Sequence, residues 1–148
     1  MSTNKGNKFL YTAGLRNVGS YQVSGHPFIT GSNTLAANAQ HHIVFPYVTK
    51  AVTVINHANE VLRLHFTDKD QGETINGYHY LELDSDEDSF TFNVKCKELY
   101  ISRADDGGGN SKYRIYAELT NIPASSMYAL TGSGLTDGND SAETHNLT

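Results

Sequence analysis

From Phe90 to Lys97 the side chains alternate with a period of two: Phe90, Phe92, Val94 and Cys96 are apolar, while Thr91, Asn93, Lys95 and Lys97 are polar. An extended strand with one face on a core and the other in water puts those two sets on opposite sides, whereas a helix would mix them. The same period returns in Tyr113, Ile115, Ala117 and Leu119. It returns again in Leu62, Leu64 and Phe66, which are expected to face inward, with Arg63 and His65 outward. His41–Val48 reads as one strand with Ile43, Phe45 and Tyr47 on a shared face. Pro46 lacks a backbone donor and makes that strand an edge or a bulge. Further short strands are expected at Tyr21–Val23, Phe28–Thr30, Ala51–Ile55, Tyr78–Leu83 and Leu99–Arg103, divided by turn signals such as Gly25-His26-Pro27 and Asn76-Gly77. About eight short strands with no helical period make an all-β chain, a single β-sandwich of jelly-roll-like form. Periodicity alone fits an immunoglobulin-like strand order equally well.

The chain is 148 residues long, enough for one domain with its own core. Patterning divides it into an extended N-terminal arm (1–19), a β-sandwich core (20–123) and a C-terminal arm or tail (124–148). The arm carries the apolar anchors Phe9, Leu10, Tyr11 and Leu15 beside Arg16, and the tail carries Met127, Tyr128 and Leu130. Charge is divided too. The first 59 residues hold four basic side chains and no acid, while the rest holds all sixteen acids against seven bases. A basic arm lying on an acidic neighbour, or on another copy of the chain, would use that polarity. At ~3.3 Å per residue a ~16-residue arm reaches about 50 Å, far enough to cross onto a neighbouring subunit.

Several chemistries find no footing in the residues. The single cysteine, Cys96, excludes an internal disulfide and a Cys-based zinc site, and its place in an apolar alternation reads as core. Asp84-Ser85-Asp86-Glu87-Asp88 opens like a calcium loop. Ser89 then stands where the sharp-turn glycine belongs and Lys95 where the bidentate glutamate belongs, so it reads as a solvated acidic turn. His41 and His42 are neighbours on a strand and point to opposite faces. His65 and His79 lie on different strands with no third ligand in view. The Gly107-Gly108-Gly109 loop has no following helix and reads as a flexible hairpin, not a phosphate cradle. No nucleophile elbow is present. The expectation is a non-enzymatic protein with no metal or cofactor. A net charge of −5 without a basic stripe argues against nucleic acid as a partner. No run approaches the ~18 apolar residues of a membrane span, and there is no secretory signal pattern.

Nine tyrosines with no tryptophan stand out, and Tyr78, Tyr80, Tyr100 and Tyr116 fall on positions opposite the core residues. Exposed tyrosines on a sheet suit protein interfaces or sugar stacking. The stretch Tyr21-Gln-Val-Ser-Gly-His-Pro-Phe-Ile-Thr-Gly-Ser, the segment from Ser89 through Phe90, Phe92, Val94 and Cys96 to Ser102, and Tyr113–Pro123 resemble small β-sandwich virion proteins of tailed bacteriophages, those of marine and cyanobacterial phages above all. The resemblance covers about half the chain and implies a capsid decoration, or cement, protein. Its partners would be the major capsid protein and itself, in a homo-oligomer of trimer type, on the capsid surface of a virion assembled in the host cytoplasm. The other function in view is a carbohydrate- or receptor-binding module, or a connector, on the phage tail.

Overall fold

The computed structural model describes residue 15, residues 25–84 and residues 87–134. Eight strands follow one another: β1 (His26–Leu35), β2 (Gln40–Val44), β3 (Tyr47–Asn56), β4 (Leu62–His65), β5 (Leu81–Leu83), β6 (Ser89–Phe92), β7 (Glu98–Ser102) and β8 (Ser111–Pro123). They form two antiparallel four-stranded sheets, ordered β1-β8-β3-β6 and β2-β7-β4-β5. The pairings β1–β8, β2–β7, β3–β6 and β4–β5 are those of one long hairpin bent at its middle. Rolling that hairpin up adds β3–β8 and β4–β7. This strand order is a jelly roll and resolves the choice that periodicity left open.

The core lies between the sheets. Tyr113, Ile115, Ala117 and Leu119 of β8 are all buried, as are Leu62 and Leu64 of β4, Val52 and Val54 of β3, and Leu99 and Ile101 of β7. Phe28 meets Phe45 edge to face at 5.5 Å. Cys96 is fully buried and its thiol is pushed up to about 11, first by burial. Across the sandwich the inward-facing His41 Nδ1 lies 2.8 Å from the Tyr113 hydroxyl, and burial raises that phenol to about 12.

Two expectations from alternation need correction, for one reason. His41–Val48 is not one strand: it breaks at Phe45 and Pro46, where the chain leaves one sheet for the other, so Phe45 is buried while Tyr47 is 42% exposed. Likewise β6 ends at Phe92, and residues 93–97 cross in the opposite direction. The crossings support each other: Phe45 N–H donates to Lys97 O at 2.9 Å and Thr49 N–H to Cys96 O at 2.9 Å. The buried Thr49 hydroxyl donates to Val94 O at 2.7 Å and accepts from Cys96 N–H at 3.1 Å, replacing ladder bonds lost at the corner. A period of two survives such a corner, so the pattern alone cannot reveal it. The proposed strand at Tyr21–Val23 lies outside the described residues.

Past the sandwich, β3 and β8 run on together and carry a second, smaller cluster. Val48, Ile122 and Met127 are buried there, with Leu15 and Leu130 packed against them. A 3-10 turn at Ala124–Ser126 brings the chain back to this cluster.

Candidate functional site

The outer faces of the two sheets differ. On the β1-β8-β3-β6 sheet, Ile29, Tyr116, Thr53 and Thr91 are register partners across all four strands. The next row, Phe28, Ala117, Val52 and Phe92, packs on the core, so the first row faces out. Ile29 is 73% exposed and Tyr116 40%, and the Thr53 and Thr91 hydroxyls lie 2.7 Å apart. The middle of this face is neutral and open, with Arg114 and Glu118 in the flanking rows.

The β2-β7-β4-β5 sheet is covered instead. Its outward rows are His42, Tyr100 and His65, then Gln40, Ser102, Arg63 and Glu82. His42 stacks on Tyr100 at 4.2 Å with rings nearly parallel, and His65 stacks on the same ring at 5.9 Å. His42 also pairs with Glu98 at 2.7 Å. The segment after β4 folds over this surface: Lys69 N–H donates to Gln40 Oε1 at 3.0 Å, and His65 Nδ1 bonds Thr67 O at 2.6 Å. His65 faces outward from the sheet, as expected, and is buried there under its own downstream chain. Burial is the largest influence on its imidazole and lowers its pKa, keeping it neutral. With the proton on Nδ1, Nε2 accepts from the Ser102 hydroxyl at 2.7 Å. Sequence reading missed this serine–histidine pair because its members sit on different strands. Both are 1% exposed, which makes the bond a tie between β4 and β7.

Beside this tie lies a polar cleft of about 380 Å³. Asn38 from the β1–β2 turn, Arg63 from β4, Lys69 and Asn76 from the covering segment, and Asp105 after β7 line it, with Ser102 in its floor. The Arg63 guanidinium lies 4.7 Å over the Tyr80 ring and 3.5 Å from Glu82, and its Nε is buried without a hydrogen bond. Tyr78, next to Tyr80 at 6.3 Å, is 78% exposed.

Behind the cleft the fully buried Arg103 organises the glycine-rich loop that the sequence suggested was a flexible hairpin. Its guanidinium donates to Asp106 at 2.6 Å, to Gly107 O at 2.6 Å and to Gly109 O, with Glu60 at 3.6 Å. Gly107 and Gly108 have φ of 75° and 80°, and a Cβ on Gly108 would meet the Glu60 carboxylate. The acidic turn is likewise tied to the fold. Asp88 accepts from Asp84 N–H and Ser89 N–H, and Glu87 lies 2.8 Å from His57. Among the described residues no three His, Cys, Asp or Glu side chains gather as metal ligands, and no helix is long and apolar enough to cross a membrane.

The candidate interface residues separate. Leu15, Met127 and Leu130 meet in the smaller cluster of their own chain, and Tyr128 is 41% exposed. Phe9, Leu10, Tyr11 and Arg16 lie outside the described residues. Of the four tyrosines, Tyr116 lies on the open face, and Tyr100, Tyr80 and Tyr78 belong to the covered side. Tyr78 lies in the covering segment before β5 and not on a strand. Comparison with family models, curated proteins and solved structures returns no match.

Proposed function

We propose that this chain is a non-enzymatic virion structural protein that decorates and stabilises a phage capsid, acting as a homo-oligomer of trimer type on the major capsid protein. The observation that carries the reading is the open face of the β1-β8-β3-β6 sheet. A jelly roll has no need to keep Ile29 in water at 73% exposure, and a row of neutral, mostly rigid side chains across four strands can dock with little entropic cost. Jelly rolls recur in viral coats and in lectins, so the fold agrees with assembly without selecting it. The chain's charge polarity adds a basic, acid-free N-terminal region to bind an acidic neighbour.

The test is quantitative mass spectrometry of purified particles, with Ile29→Asp as the comparison. Decoration requires hundreds of copies, in simple ratio to the major capsid protein, and loss of the Ile29→Asp protein from the particle. A dozen copies or fewer would overturn it in favour of a tail or vertex location. The covered face supports that second reading, a recognition module, because it presents a polar cleft beside an exposed tyrosine.

A further inference from the structure

We infer that the cleft beside Arg63 binds an acidic sugar, a polyhydroxyl ring carrying one carboxylate, with Tyr78 as the stacking platform at its rim. This goes beyond capsid docking and uses none of the residues of the open face.

The cleft is short of partners in a particular way. Among the described residues the Arg63 guanidinium makes no hydrogen bond. Its contacts are the face of Tyr80 and the half-exposed Glu82, whose carboxylate lies 3.5 Å from the buried Nε without a hydrogen bond between them. A guanidinium stacked on a ring is held flat with its fork free, the arrangement that receives a carboxylate. Lys69 lines the same cleft, with its ammonium 3.2 Å from Asp70.

The rest of the lining suits hydroxyl groups. Asn38, Asn76 and Asp105 belong to it, all three are exposed, and none of their side chains bonds another described residue. An amide offers a donor and an acceptor together, and Asp105 accepts only, so the complement is a set of groups that both give and take protons. Asp70 and Asp105 repel every anion, so a ligand with several negative charges, such as a nucleic acid backbone, is disfavoured more than one with a single carboxylate. One negative charge together with several hydroxyls matches both sets of groups. The volume, about 380 Å³, lies at the small end of the ligand-site range of roughly 300–1,000 Å³.

Tyr78 adds a third, independent observation. Its φ is 60°, a left-handed backbone that a bulky residue rarely adopts. The turn beneath enforces it: Gly77 N–H bonds Glu73 O at 2.7 Å, Tyr78 N–H bonds Ile75 O at 3.1 Å, and His79 N–H bonds Thr74 O at 2.9 Å. The strain holds a ring in water two residues from Asn76, where it can take the apolar face of a sugar.

The test is calorimetric titration of the full-length protein with trigalacturonate and, separately, with neutral trigalactose, repeated on Arg63→Met, Arg63→Lys and Tyr78→Ala proteins. Backbone amide NMR spectra locate the bound sugar. Binding of trigalacturonate in the millimolar range or tighter is expected, with shifts centred on Asn38, Arg63 and Asn76. Trigalactose should bind about tenfold more weakly, Arg63→Met should lose about tenfold, and Arg63→Lys should recover part of that loss. Tyr78→Ala should weaken binding about threefold with an unchanged melting temperature. Equal affinity for both sugars would overturn the carboxylate assignment. No binding of either sugar at millimolar concentration, or wild-type affinity in Arg63→Met, would overturn the site. Ile29→Asp should bind trigalacturonate as wild type does, so failure of capsid docking and failure of sugar binding are separate results.

Discussion

The two sheets share a core but spend their outer surfaces differently. The β1-β8-β3-β6 sheet has three long strands, β1 and β3 of ten residues and β8 of thirteen, beside the four-residue β6, and leaves its outer rows to water. The β2-β7-β4-β5 sheet has strands of three to five residues, too short to exclude water by pairing alone. It is sealed by side-chain ties and by the chain folded over it: His65 to Ser102 and Thr67, Gln40 to Lys69, and behind them Arg103 to its loop. Where backbone pairing is long, side chains are free to meet a partner. Where it is short, they are recruited to hold the fold, and unpaired polar groups collect at the margin as a cleft.

Breaking the covered side at its deepest tie should have the largest effect. Arg103→Ala removes the buried guanidinium from Asp106, Glu60 and the carbonyls of Gly107 and Gly109, releasing the loop and leaving a cavity where the side chain lay. Denaturant unfolding should record a loss of about 3–5 kcal/mol.

A smaller effect should come from protonation. Burial lowers the His65 pKa, so as pH falls below about 6.5 the unfolded chain takes up a proton that the folded chain resists. Stability from this group is fully present above that pH and is lost as pH falls through the lower, folded value. Between pH 7.5 and 5 the wild type should lose roughly 1 kcal/mol more than His65→Gln, read from urea midpoints at each pH. Equal slopes would mean that the covering segment does not shield the imidazole.

The open face should barely respond. Ile29→Thr and Tyr116→Ser should each change stability by no more than about 0.5 kcal/mol, because neither side chain leaves a cavity behind. A loss several times larger would show that this face is covered in solution.

Strand positions and inward faces were legible where a strand stays in one sheet, as in Tyr113 through Leu119 and in Leu62 and Leu64. Alternation reports which side a residue faces and is silent about which strand lies next to it, so strand order had to come from the fold. It also failed where the chain changes sheets, at Phe45–Pro46 and after Phe92, because the period runs on through a corner. His65 does face outward, but its burial was not legible because the segment that covers it has no periodicity to announce itself. The cleft was invisible for a similar reason: Asn38, Arg63, Asn76 and Asp105 come from four separate parts of the chain, and each alone is an ordinary polar residue. The arm anchors Phe9, Leu10 and Tyr11 lie outside the described residues, while Leu15 packs within its own chain.

The rolled hairpin also sets an order of events during synthesis. Strands β4 and β5 are close in sequence and can meet early, but β1 must wait for β8, where His26 finds Leu119. Strand β8 lies between β1 and β3, so until it arrives the first sheet has no centre. A ribosome must therefore make nearly the whole described chain before that sheet can close, and the long edges of β1 and β3 wait unpaired meanwhile. A stop codon just before Ser111 would release a chain with seven of its eight strands that cannot complete its first sheet.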